Sequence, residues 1–468
     1  MRDTREAAML LPLVTRELQS ILSDKTLRFS ILVLTVVTPL SAYTQARYYQ
    51  RVTEERFVRG VIHREENSTV RLVISRETPS LLPFFNGIYD YLPEEVVVHS
   101  QASSNAPSSE DLNPLDQFFP KADLSLVVGV LMTLMAVLLG HNVVAGDREQ
   151  AALRFVLSYP IKRSTVLAAK LTTICIVILA GVAYAIGLYT IIVTTCSGGA
   201  FHLTAAAVRE IAVVFSICFL TVALFAALSV AMSTILRNSS VALTGGVAFW
   251  VVALFIWPSV AGYLARGLWP LQSKQSFDRR MVAEEKRLVE AELDDHRRAA
   301  AELEARHADV ETSWRRYQDL NGYWRTRKWA EMKELTAEYE TQLRRRQFGA
   351  TMISLVSPYG AFKAGLSEVS GAGLNDYHEF VDAAEKYGAE VFIPAALEFG
   401  RHNKPWIRTS ELTEKFEPEP FSLPVPTLAG RLQRSAPAIT AQIVEIAGLL
   451  LLAFLKFERY RFGPRVTA

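Results

Sequence analysis

The chain has 468 residues, half of them hydrophobic and 21% charged, with a formal net charge of +2 and a mean hydropathy of +0.17. Such values coexist only if apolar and charged residues are segregated, which excludes a disordered, collagen-like or disulfide-rich secreted chain and argues against an ordinary soluble enzyme. The basic residues are balanced and dispersed, so the charge gives no indication of nucleic acid, and none is expected as a partner.

The amino-terminal run LPLVTRELQSILSDK places Val14, Leu18, Ile21 and Leu22 on one face of a helix that also carries Glu17. A period of 3.6 residues predicts an amphipathic helix in the membrane interface within 1–28; a partner-facing or buried helix is the alternative. Six apolar stretches follow, at 29–46, 122–145, 171–195, 211–236, 241–265 and 438–457. Each is near the roughly 20 residues that span a bilayer, and backbone groups in lipid must be satisfied within the segment, so all six are predicted helices. The residues before 29 include Asp3, Glu6, Glu17 and Asp24, which does not fit a cleaved signal peptide. Cys175, Cys196 and Cys218 all lie in or beside apolar runs and read as small hydrophobes.

Short-loop charge sets the direction. Arg148, Arg154, Lys162, Arg163 and Lys170 fall between the second and third stretches, and Arg237 between the fourth and fifth. Arg16, Lys25 and Arg28 precede the first, and Lys456, Arg459, Arg461 and Arg465 close the chain. The loop 196–208 has no Lys or Arg. Both termini (1–28 and 458–468) and the loop 146–170 are therefore expected in the cytoplasm, with 47–121 and 266–437 outside. The expected fold is an all-α polytopic protein of the cell (inner) membrane. It has six transmembrane helices, a large extracytoplasmic helical, coiled-coil-like domain and a small β-containing segment.

In 47–121 two strand-like runs, 69–74 and 95–99, are separated by prolines, and 101–114 reads as a linker. A two-stranded sheet alone is marginal, so it is expected to pack on the later outer segment. In 146–170 (GDREQAALRFVLSYPIKRSTVLAAK) Leu153, Val156 and Leu157 form a small apolar face, Tyr159-Pro160 stops that helix, and Ser164 restarts one. The loop is either a short stiff helix that carries force from a partner or a solvated connection. Gly181, Gly187, Gly245 and Gly246 are candidates for close helix packing.

In 274–348, Val289, Leu293, Ala300, Leu303, Val310, Trp314 and Tyr317 recur at three- and four-residue steps, with His296 and His307 in the same seam. One long helix or a hairpin broken at Asn321-Gly322 would satisfy the pattern, with Trp324 and Trp329 packed on the first arm. Neither the His296–His307 pair nor His378-Glu379 and His402 match a metal-ligand spacing, and no Ser-His-Asp set is readable. Gln442 and Glu445 sit inside the sixth stretch. They read either as a substrate-path or subunit-interface pair, or as polar groups near enough to the outer surface to reach water.

The loop pattern Arg148-Glu149, Ala151-Ala152, Leu153-Arg154, Leu157-Ser158, Pro160, Arg163 and Lys170 resembles type-2 ABC transporter permeases, which commonly have Gly-Thr where this chain has Ala151-Ala152. The run TRELQSILSDKTLR resembles that family's interfacial elbow helix. RETPSLLPFFNG and LVSPYGAFKAGLSEVSG are similar to a subfamily with large extracytoplasmic insertions. The resemblance implies two permease subunits, alike or different, with two cytoplasmic ATPase subunits; an exporter is expected, with import left open. It also implies that Arg148, Glu149, Leu153, Arg154, Leu157, Tyr159, Pro160 and Arg163 dock on the ATPase. No G-x-x-x-x-G-K-[ST] occurs in the chain; ATP and Mg are expected on the partner, and no cofactor in this chain. A membrane sensor or scaffold, or an ATPase-driven device that pulls on an extracytoplasmic protein, are the alternative readings.

Overall fold

The computed structural model describes residues 2–62, 71–99, 122–159, 161–395, 398, 419–423 and 426–459. Among the described residues six helices are long and apolar enough to cross a membrane: Lys25–Glu55, Leu124–Glu149, Arg163–Cys196, Ala205–Ile235, Ser239–Leu268 and Leu428–Glu458. Among the described residues the only strands are β1 (Arg71–Ser75) and β2 (Glu95–His99), which pair antiparallel with Arg71 opposite His99. The protein is thus an all-α polytopic membrane protein with one small sheet. The end of the bundle that carries 146–170 is the loop face; the described parts of the insertions 47–121 and 266–437 lie at the other end, the domain face.

Short polar side chains set the helix starts. Asp24 separates the amino-terminal helix (Arg2–Ser23) from the first span and accepts the Thr26 amide at 2.9 Å. Thr204 and Thr427 cap the fourth and sixth spans in the same way, accepting Ala207 N at 3.2 Å and Gly430 N at 3.3 Å.

The fourth span is the centre of the bundle, with Cys218, Thr221, Phe225 and Ser229 fully buried. Ser229 Oγ donates to the Val137 carbonyl at 2.7 Å, and a Cβ on Gly140 would lie 2.7 Å from Ser229 Cβ. The second and fourth spans therefore meet backbone to backbone. Trp250 Nε1 donates to Thr133 Oγ1 at 2.9 Å, tying the fifth span to the second, and Gln442 Nε2 donates to Thr221 Oγ1 at 3.0 Å, tying the sixth to the fourth. Of the four glycines expected to permit close packing, Gly246 does so most tightly, against Val137, while Gly187 meets nothing within 4 Å in this chain. Tighter contacts fall at Gly140, against Ser229, and at Gly129, against Tyr359 and Phe362. A small residue allows contact, but only the fold supplies the neighbour.

At the domain face, the RETPSLLPFFNG segment forms a wedge. Leu81, Leu82, Phe84 and Phe85 are buried, Tyr189 OH donates to the Pro83 carbonyl at 2.9 Å, and Leu124 N donates to the Phe84 carbonyl at 3.0 Å. The helix Pro358–Ser370 docks on the ends of the spans. Tyr359 and Phe362 pack against Gly129, where a Cβ would come within 2.8 Å of both rings, and Ser357 Oγ donates to the Ala253 carbonyl at 2.7 Å. Gly129 and Ala253 both lie in π-helical turns, Val127–Met132 and Val252–Ile256. A π turn disturbs the regular backbone ladder, and here Ser357 supplies a partner at one of the two. The sheet packs through Ile74 on Phe380 and Ala384 of the helix Leu374–Tyr387.

The charged stretch is a hairpin of two helices, Lys274–Ala305 and Val310–Ser354. It turns at 306–309, with His307 at φ 52° and Asp309 accepting the Thr312 amide at 3.3 Å. Of the two alternatives the hairpin is the one found, but not broken at Asn321-Gly322: both residues are helical, because Leu320 and Trp324 beside them pack into the seam. The packed stripe also differs from the expected one. Phe277, Met281, Leu288 and Ala291 meet Leu320, Trp324, Met332 and Leu335, whereas Val289, Leu293, Val310 and Tyr317 are exposed. The two stripes lie one residue apart along the first arm, and ion pairs Arg287–Glu331 (2.6 Å) and Lys328–Glu292 flank the stripe that packs. Trp324 is buried and donates Nε1 to Asp295 Oδ2 at 3.2 Å.

Candidate functional site: the loop between the second and third spans

Past Gly140 the second span breaks at a turn and restarts as a short helix, Ala145–Glu149. Ala151 then takes φ 59°, the left-handed conformation that favours glycine, before the helix Ala152–Ser158. That geometry explains why a glycine suits this point of the loop. Tyr159 is extended, and the third span begins at Arg163; Pro160 lies outside the described residues.

Side chains of this loop reach the ends of four spans and the amino-terminal helix. Arg148 donates to the Leu236 carbonyl at 2.9 Å and the Thr234 carbonyl at 3.2 Å, at the carboxyl end of the fourth span. Such carbonyls lack intrahelical partners, and a cation there also complements the helix dipole. Glu149 accepts the Ser239 amide at 2.7 Å, capping the start of the fifth span. Ser233 Oγ accepts the Val144 and Ala145 amides at 3.1 and 2.9 Å. Arg163 donates to the Glu458 carbonyl at 2.8 Å, at the end of the sixth span.

Lys170 is the hub. Its ammonium is 2.6 Å from Asp147 Oδ2 and 2.8 Å from Glu17 Oε1, and the side chain is 3% exposed. It joins the loop, the third span and the amino-terminal helix. Thr173 Oγ1, 3.4 Å from the Val14 carbonyl, holds the same helix one turn further along. On that helix Val14 is buried, Leu18 and Ile21 pack against the bundle core, and Leu22 is exposed.

The expected docking residues thus separate into two groups. Arg148, Glu149 and Arg163 spend their polar groups on span ends. Leu153, 1% exposed, lies in the core, and Val156 and Leu157 pack partly against it. Leu153 and Leu157 are therefore turned away from a docking partner, because their apolar face seats the short helix on the bundle. Arg154, Phe155, Ser158 and Tyr159 face outward, with Phe155 72% and Tyr159 65% exposed. Phe155 is absent from the sequence-based set. Helical spacing contained the signal: with Leu153, Val156 and Leu157 facing in, positions 155 and 159 share the opposite face.

In the membrane, Gln442 is buried and also lies 3.5 Å from the Pro358 carbonyl, so it braces the sixth span. Glu445 is half-buried one turn deeper; its Oε2 is shielded from solvent and has no hydrogen-bond partner among the described residues. His378 Nε2 lies 3.0 Å from Gln347 Oε1, and His402 falls outside the described residues. Among the described residues no group of three His, Cys, Asp or Glu side chains is placed to hold a metal.

The family model of the ABC-2 family transporter proteins matches residues 11–459. No curated protein matches the chain. With six bilayer-length helices and a match over nearly its whole length, the chain belongs to the ABC-2 transporter family, as a permease component of an ABC transporter.

Proposed function

We propose that this chain is the permease of an exporter whose spans are moved by two cytoplasmic ATPase subunits, which carry ATP and Mg. The family generally dimerises and works with a cytoplasmic ATPase. The observation that supports the reading is the loop 141–170. One contiguous piece of chain holds the ends of the third, fourth, fifth and sixth spans and the amino-terminal helix, and presents Phe155 and Tyr159 on its free face. A push on Phe155 and Tyr159 reaches four spans at once through short, charge-assisted contacts. In this reading Arg154, Phe155, Ser158 and Tyr159 dock in a groove of the ATPase, while Arg148, Glu149, Arg163 and Lys170 pass the movement on. Glu445 lies beside the substrate path, and Gln442 holds the span that carries it. The loop face is cytoplasmic.

Two measurements test this. Phe155→Ala with Tyr159→Ala should abolish co-purification of the ATPase while leaving thermal stability unchanged; undiminished association would refute the docking face. Inside-out vesicles that release preloaded substrate on ATP addition, and accumulate none from outside, would refute export.

A second reading, mechanical work on an extracytoplasmic partner, has one observation in its favour. The hairpin is fastened to the fifth span, with Gly349 under the Trp269 ring and Trp257 Nε1 donating to the Ile353 carbonyl at 3.1 Å. Movement of that span would swing the hairpin.

A further inference from the structure

Where the fifth span leaves the bundle at the domain face, its surface is both greasy and basic. Tyr263, Leu264 and Leu268 are exposed on the emerging helix, as are Phe348 on the returning arm of the hairpin and Val356 just past its end. The two are locked together at Trp269, whose ring lies over Gly349; a Cβ there would approach the ring to 2.3 Å. Exposed aromatic and aliphatic side chains around the end of a span mark the level of a bilayer interface.

Cations gather within about three helical turns of Trp269. Arg266 lies one turn before it, its guanidinium 5.9 Å from the centre of the Tyr263 ring. Lys274 opens the outgoing arm. Arg280 reaches back to Gln272 Oε1, 3.4 Å away. Arg345 and Arg346 lie one turn above Gly349 on the returning arm. The two stretches 259–283 and 341–367 contain a single acid, Asp278. Among the described residues Arg266, Lys274, Arg280, Arg345 and Arg346 have no acidic side chain within 4 Å; neighbouring Arg344, by contrast, is held by Asp382 at 2.9 Å. Basic residues close to a span end are disfavoured on the side away from the cytoplasm, so an uncompensated collar of them there calls for anions from outside the chain.

We infer that this collar binds the headgroups of anionic phospholipids in the leaflet at the domain face. Arg266, Lys274, Arg280, Arg345 and Arg346 meet the phosphates, and Tyr263, Leu268 and Phe348 enter the acyl region below. Cations ranged above an apolar rim fit a lipid whose phosphate lies over its hydrocarbon, and each Lys or Arg near an anionic surface adds to the attraction. The collar anchors the base of the hairpin and the fifth span to the membrane. The inference rests on the six helices crossing a bilayer with the loop face in the cytoplasm, as proposed above, and not on the ATPase docking face.

The full chain, purified in mild detergent with mixed phosphatidylglycerol and phosphatidylcholine, should retain phosphatidylglycerol preferentially in native mass spectrometry. Lys274→Gln with Arg345→Gln and Arg346→Gln should reduce that preference about tenfold or more, while Arg345→Lys with Arg346→Lys should keep it. These side chains are at the surface, and an unchanged melting temperature verifies the fold of each variant. Equal retention of the two lipids by the natural chain, an undiminished preference in the Gln variant, or displacement of the lipid by millimolar inorganic phosphate would each overturn the inference. ATPase co-purification, measured on the same samples, reports on the docking face separately.

Discussion

Lys170 places its ammonium 2.6 Å from the Asp147 carboxylate, inside a contact that also takes in Glu17 of the amino-terminal helix. The lysine is buried while its partners are 28% and 30% exposed, so it loses hydration that the two acids keep in part. Removing one partner of a fully buried pair costs about 3–5 kcal/mol. Because both acids remain partly hydrated, Lys170→Met should cost less, about 1–3 kcal/mol. Glu17→Gln alone should cost less again, and little more in the Lys170→Met background, since the two changes remove the same contact. Thermal unfolding of the four proteins in detergent closes the cycle; additive losses would show that the contact does not act as a unit.

Ala151 holds φ 59° without being a glycine. Left-handed backbone costs an L-residue about 1–2 kcal/mol, part of which the greater freedom of unfolded glycine takes back. Ala151→Gly should therefore raise stability by about 0.5–1 kcal/mol, read as a higher melting temperature. A lower one would mean that the turn relaxes in solution.

Leu153 and Phe155 should behave in opposite ways. Leu153→Ala opens a cavity under the short helix and should cost about 2–4 kcal/mol of stability. Phe155→Ala removes an exposed ring and should leave stability within about 0.5 kcal/mol. Its effect should fall on ATPase affinity, by tenfold or more, as for an aromatic anchor at the centre of an interface. Titration of the ATPase against both variants decides the matter.

The packed stripe of the hairpin can be tested against its exposed neighbour. Trp324→Ala should cost about 3–5 kcal/mol in the hairpin and leave Asp295 without its donor. Val289→Ala and Leu293→Ala, on the adjacent stripe, should each change stability by about 0.5 kcal/mol or less. Hydrogen exchange across 274–354 would locate the loss.

Burial raises the pKa of Glu385, and neighbouring Glu340 raises it further. A carboxyl whose folded pKa lies above its unfolded value takes up protons more readily when folded. Its stabilising contribution is full below the usual glutamate value of 4.5 and is lost as pH rises through the folded pKa. Charged Glu385 is thus a burden near neutrality. Glu385→Gln should raise the melting temperature at pH 7.5, and the gain should shrink as the pH falls towards 4.5. A gain independent of pH would assign the effect to something other than this carboxyl.

The sequence by itself determined what depends on runs and periods along the chain. Six apolar stretches long enough for a bilayer, the amphipathic helix before them, the short helix that ends at Tyr159 and the two distal strands are all local, because chain length and hydropathy decide whether a segment crosses lipid. The tertiary structure decided which side chains of those elements are spent inside and which are left free. Arg148 and Leu153 look as available as Phe155 in the sequence, until the ends of the fourth and fifth spans arrive beside them. In the hairpin, two apolar stripes one residue apart satisfy the same heptad, and only the facing Trp324 and Met332 select one. Asn321-Gly322 has the composition of a break, yet burial of the side chains around it outweighs a local helix preference of about 1 kcal/mol. Choices of this kind turn on partners distant in sequence, and no period along one segment encodes them.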